Sequence, residues 1–153
     1  MNKQQKYSLL VEAHSTDLYR YAHWKCRDRL MAEEVIQETL LRAWKGIDNL
    51  REAGAAKAWL FTIFRREYAR QFERKQLDYS DIENMDSIAS TEGIDASAPE
   101  SAALKKALAS IGGQYREPLV LQVLGGFSCD EIASILEISA SAVMTRVFRA
   151  KHS

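Results

Sequence analysis

Apolar residues recur along this chain with a period near 3.6, and that period predicts helices. Placed at 100° per residue, Ile36, Leu40, Ala43, Trp44 and Ile47 share one stripe, in a helix expected over Ala32–Lys45. Leu60, Phe61, Phe64, Tyr68 and Phe72 form an equivalent stripe in a helix over Ala58–Lys75. Leu104, Ala107, Leu108 and Ile111 open a further helical stretch, and Tyr115, Leu119, Val123 and Leu124 follow the Gly112-Gly113 pair. No run alternates with period two, so the predicted fold class is all-α.

Between these stretches, Leu77 to Glu100 has no helical period. It is acidic, rich in Ser, Asp, Gly and Ala, and ends beside a proline, which is a linker composition. The expected organisation is two small helical domains, residues 1–76 and 101–153, joined by a flexible acidic linker over 77–100. Each is near the lower size at which a chain folds alone. They are expected to be independent bodies.

The strongest local pattern runs from Phe127 to Lys151. Ser128 and Glu131 have capping-box spacing, and Phe127 with Ile132 fits a hydrophobic staple, so a helix starts at Cys129. Glu137-Ile138-Ser139 interrupts it, and Ser139 caps a second helix. There, Ala140, Val143, Val147 and Ala150 share one arc, while Ser141, Ala142, Thr145, Arg146 and Arg149 share the other. Small polar and arginine side chains on that outer face suit a major-groove reader. The bland alternative is the solvated face of a helical hairpin. Glu137 stands where such turns usually want glycine.

Two faces in the first half stand out. Glu34, Gln37, Glu38, Leu41 and Lys45 lie opposite the core stripe of their helix, leaving one leucine among polar groups. It is either an ordinary exposed leucine or the anchor of a protein-binding patch. In the next helix Arg66, Arg70 and Arg74 recur every four residues, with Trp59 and Ile63 on the same side and Arg65 and Lys75 nearby. A basic stripe with an aromatic suits a DNA backbone and stacking bases. Alternatively the face is solvated and Trp59 packs on a neighbouring helix.

Charge sharpens this picture. The formal net charge of 153 residues is zero, yet residues 1–77 carry +5, 78–100 carry −7 and 101–153 carry +2. Two basic segments flank an acidic one. Apolar residues are 46% and charged residues 27% of the chain, as in a soluble folded protein. No run is long enough to span a membrane, and the N-terminus lacks the apolar core of a signal peptide, so a cytoplasmic protein is expected. Cys26 and Cys129 are expected to be reduced thiols. His14, His23 and His152 have no metal-ligand spacing with acids or cysteines. No phosphate loop or nucleophile motif occurs. Hence no enzymatic activity, catalytic residue, metal or cofactor is expected.

The segments DLYRYAHWKCRDRLMAEEVIQETLLRAWKGI (Asp17–Ile47) and KAWLFTIFRREYARQFERK (Lys57–Lys75) resemble sigma region 2. The segment ALKKALASIGGQYREPLVLQVLGGFSCDEIASILEISASAVMTRVFRAK resembles sigma region 4. With these two regions in this order and nothing between but a linker, the chain resembles a bacterial RNA polymerase sigma factor of the extracytoplasmic-function (ECF) group. That resemblance implies a protein that binds core RNA polymerase, directs it to promoters and helps melt the downstream (−10) element.

It also implies roles for residues. Glu34, Gln37, Glu38 and Leu41 would meet the clamp helices of the largest polymerase subunit. Asp48 and Asn49, in a loop that captures a flipped base, would engage the downstream element together with Lys57, Trp59, Arg65, Arg66 and Arg70. Holding an unpaired base offsets the few kcal/mol of unstacking. Ser141, Thr145, Arg146 and Arg149 would read the upstream (−35) element, and region 4 would also dock on the polymerase flap. The linker would thread the RNA channel. Stretched, it spans the two elements; as a relaxed coil it averages only about 25–30 Å, so the free protein is expected to be more compact.

Implied partners are core polymerase, promoter DNA and an anti-sigma factor, which would hold the protein at the inner membrane where it is itself anchored there. No membrane insertion is implied. Two departures from the family pattern stand out. Gly112-Gly113 replaces a proline-containing turn, and the chain stops at Ser153, where relatives continue the recognition helix. The alternative function is a helix-turn-helix transcriptional regulator, with an N-terminal dimerisation or sensor domain, that acts without polymerase. Its dimer seam would be the Leu41 face.

Overall fold

The computed structural model describes residues 2–26, 28–78 and 113–152. The predicted stripe of Leu104, Ala107, Leu108 and Ile111, and nearly all of the predicted linker, lie outside them. Six α-helices are described: α1 (Lys3–Lys25), α2 (Arg29–Gly46), α3 (Ala56–Asp78), α4 (Gly113–Val123), α5 (Cys129–Leu136) and α6 (Ala140–Lys151). Short 3-10 turns at Ile47–Asn49 and Ala53–Ala55 link α2 to α3. There is no strand among the described residues, and the fold is all-α as the periodicity predicts. α2 and α3 each run a few residues beyond their predicted bounds. α3 takes in Leu77 and Asp78, the first two residues assigned to the linker.

α1, α2 and α3 pack as a bundle. Ile36, Ala43 and Ile47 of the α2 stripe and Leu60, Phe61 and Phe64 of the α3 stripe are buried against Leu18 and Tyr21 of α1. Each large apolar side chain fully buried contributes roughly 1.5–3 kcal/mol. Leu40 and Trp44 sit at the rim. Tyr7 meets the Trp44 ring edge-on at 5.2 Å, and its hydroxyl donates to the Leu40 carbonyl at 3.0 Å. At the surface between α2 and α3, Arg42 pairs with the buried carboxylate of Glu67, which Arg70 also approaches at 3.4 Å.

The last three helices form a second unit. Ser128 accepts from the Glu131 amide and Glu131 reaches back to the Ser128 amide, so α5 starts with the predicted capping box. It ends at Glu137, which takes φ 59°, the left-handed conformation that glycine adopts without strain. Ser139 then caps α6 through the Ala142 amide at 3.1 Å. Val143, Val147 and Ala150 of α6 are buried with Ile132 and Ile135 of α5.

The expectation of two independent bodies is corrected. α5 and the turn before it pack on α3, and one apolar core runs through both units. Phe61 of α3 meets Phe127 edge-on at 4.9 Å. The approach depends on Gly125, where a Cβ would lie 2.6 Å from the Phe127 ring and 2.7 Å from the Leu121 carbonyl. Helical periodicity marks Phe61 and Phe127 as apolar and inward. It carries no information on whether the partner comes from the same unit or the other.

Candidate nucleic-acid interface

The outer face of α2 is as the pattern predicts. Asp28 caps the helix by accepting from the Met31 amide at 2.6 Å, and buried Val35, Ile36 and Ala43 set which side faces outward. Leu41 is 45% exposed amid Gln37, Glu34 and Glu38. Glu38 pairs with Arg42 at 3.3 Å and Glu34 with Lys75 at 3.6 Å, which leaves Gln37 and Leu41 presented to solvent. Leu30, 63% exposed in the first turn, extends the same face. The sequence reading missed it because it began the helix at Ala32; the Asp28 cap was the available signal.

The residues assigned to the downstream element separate into two groups. Asp48 and Asn49 stand exposed in the 3-10 turn after α2, with Lys3 3.8 Å from Asp48. Trp59 is half-buried, its ring 3.4 Å from where a Cβ on Gly46 would stand. Its position therefore matches the packing alternative for that residue. Arg70 remains exposed on the first unit and is oriented by Glu67.

Lys57, Arg65 and Arg66 are turned toward the second unit. The Arg65 guanidinium donates to Glu117 of α4 at 2.7 Å, beside Lys25 at 2.7 Å and the Tyr21 hydroxyl at 2.5 Å. Burial alone would raise the Glu117 carboxyl. Lys25 and Arg65 outweigh burial and hold it down at about 2. Burial alone would lower the Arg65 guanidinium, and Glu117 reverses that sign. The Lys57 ammonium donates to Asp17 and to the Gly125 carbonyl, both at 2.5 Å. Arg66 pairs with Glu137, the left-handed residue of the turn, at 2.9 Å. The acids beside the stripe within α3 are Glu67 and Glu73; those that pair with Arg65 and Arg66 arrive from far along the chain.

On α6, Ser141, Thr145 and Arg149 are exposed and Arg146 is half-exposed. Arg149 donates to the Tyr115 hydroxyl of α4 at 3.2 Å, with its guanidinium over the same ring. Two side chains absent from the predicted reading face share it: Met144, 56% exposed, and Phe148, 61% exposed. An apolar residue on a polar face was the signal, the same one that singled out Leu41. Cys26 and Cys129 are free thiols, and burial pushes Cys26 up to about 12. Among the described residues no group of His, Cys, Asp and Glu is arranged to hold a metal ion, and no helix is long and apolar enough to cross a membrane.

Residues 10–77 match the Sigma-70 region 2 family model, and residues 101–152 match Sigma-70, region 4. The ECF RNA polymerase sigma factor SigL of Mycobacterium tuberculosis is 31% identical over 144 residues, 90% of this chain and 80% of the relative. EcfG of Rhodopseudomonas palustris, also an ECF sigma factor, is 30% identical over 122 residues, 78% of this chain and 67% of its own. Among solved structures, the sigma factor RpoE in complex with the anti-sigma factor NepR, from Bartonella quintana, superposes with a TM-score of 0.75 at 27% identity. That match covers 97% of this chain and 91% of RpoE. CnrH in complex with the cytosolic domain of CnrY gives 0.67 at 25% identity, over 97% and 84%. With a bundle bearing an exposed leucine face, a helix-turn-helix with a cationic outer helix, and relatives matched over most of their length, this chain belongs to the ECF RNA polymerase sigma factors.

Proposed function

We propose that this chain binds core RNA polymerase through the α2 face of Leu30, Gln37 and Leu41. The α3 face and the Ile47–Asn49 turn engage the downstream promoter element, and α6 reads the upstream one. The observation that carries this reading is one chain holding both an unpartnered leucine face on a family-matched bundle and a capped helix-turn-helix with an outward cationic helix. Run-off transcription with core polymerase on a panel of genomic promoters tests it. Specific transcripts are expected only when the chain is added, and binding to isolated duplex should be poor. Tight binding to duplex as a dimer, with no transcript, would support the polymerase-independent regulator instead.

The packed arrangement bears on regulation. Lys57, Arg65 and Arg66 are engaged by Gly125, Glu117 and Glu137, so the downstream element has to compete with them. Glu117 and Glu137 stand where promoter phosphates would otherwise neutralise these cations. RpoE and CnrH, which this chain resembles across both units, were solved with anti-sigma partners. An anti-sigma protein that holds this closed form, and a polymerase that parts it, is the partner set that fits.

A further inference from the structure

Buried Val143, Val147 and Ala150 fix which way α6 faces. At 100° per residue, Ser141 and Thr145 lie nearest the centre of the opposite side, with Phe148 and Arg149 about equally far out on its two flanks. Met144 lies beyond Phe148, at the edge of the face. Two large apolar side chains one turn apart therefore stand on the outward face of the second helix of a helix-turn-helix. Phe148 is held there, its ring stacked on His152 at 4.2 Å and 25°.

A single exposed apolar residue needs no explanation; this pair has a specific setting. α6 contains no Asp or Glu and carries Arg146, Arg149 and Lys151, so the surface complements a polyanion. In the major groove of DNA, the apolar feature that a base edge offers is the C5 methyl of thymine. Arg149, the residue suited to guanine, is tied to Tyr115. The flank that Phe148 and Met144 occupy is thus better matched to methyl groups than to guanine.

We infer that Met144 and Phe148 read thymine methyl groups in the upstream promoter element, so that this sigma factor selects A·T pairs where those side chains enter the groove. The inference rests on the assignment of α6 as the upstream-reading helix. Replacing thymine by uracil removes the methyl and leaves every hydrogen-bonding group in place.

The experiment uses holoenzyme, full chain plus core polymerase. A promoter library randomised across the upstream element defines the preferred sequence, and each of its thymines is then replaced singly by uracil. At one or two thymines the wild type should bind about fourfold less tightly, the value of one methyl transferred from water. Met144→Ala and Phe148→Ala should each lose that penalty at its own position while retaining helicity by circular dichroism. Binding insensitive to uracil at every upstream thymine, with a preferred element still selected, would overturn this inference and leave the assignment of α6 standing. So would an equal penalty in wild type and both variants. Selection of no upstream element would overturn both.

Discussion

Single residues define the proposed polymerase contact and the weak point of the turn. Leu41 is held outward by a helix whose opposite stripe is buried, so a charge placed there disturbs no core. Leu41→Asp should reduce co-purification with core polymerase at least tenfold, with unchanged helicity by circular dichroism; undiminished co-purification would remove α2 from the interface. Glu137 is strained in a different way. A side chain in the left-handed region is unfavourable, and glycine removes that penalty. Glu137→Gly should raise the denaturant midpoint of the chain. It should also free Arg66, which would be read as tighter binding of single-stranded downstream-element DNA. Both sites were visible early, Leu41 as an apolar residue among polar ones and Glu137 as a departure from glycine. The left-handed φ and the pairing with Arg66 were not, because neither has a sequence period.

At the scale of elements, caps set where helices start, and buried stripes set which residues face outward. Ser139 is the cap of α6 and orders its first turn, while buried Val143, Val147 and Ala150 turn Ser141, Met144, Thr145 and Phe148 outward. Ser139→Ala should cost about 1 kcal/mol of stability by denaturant titration. It should also weaken upstream-element binding, because the first turn of α6 frays. A variant with full stability and full binding would show that packing on α4 and α5 alone orders this helix. The capping boxes at Ser128 and Asn2 illustrate what was legible. Ser128 has Glu131 three residues on and an apolar run after it, so it was found. Asn2 with Gln5 has the same geometry without a strong apolar stripe behind it, so it was passed over.

For the whole molecule, the decisive contact is the cluster of Glu117 with Lys25, Arg65 and Tyr21 between the two units. Its carboxyl lies at about 2, below the ordinary 4.5, so the folded chain binds fewer protons there than the unfolded one. The stabilisation is therefore complete above about pH 5 and is lost as pH falls from there toward 2. Fluorescent labels on α1 and α6 should report separation of the units over that window. Glu117→Gln should be already more separated at neutral pH and lose that slope. If the labels stay at one distance in both proteins, the ion cluster does not hold the units together, and Phe61 with Phe127 does. In the same variant, downstream-element DNA should bind more readily, since Arg65 is released.

Local periodicity and side chains a few residues apart were enough for the inward stripes of α2 and α3, the caps at Ser128 and Ser139, the helix-turn-helix and the outward Leu41. The sequence by itself also placed the cations of α3 on one face. Only the tertiary structure decided what those cations meet. Glu117 lies 52 positions along the chain from Arg65, and Glu137 lies 71 from Arg66. A pairing over such separations depends on how two cores dock. That docking brings Phe61 onto Phe127 as well as Glu117 onto Arg65, a complementarity of shape and charge that no repeating pattern along the chain encodes.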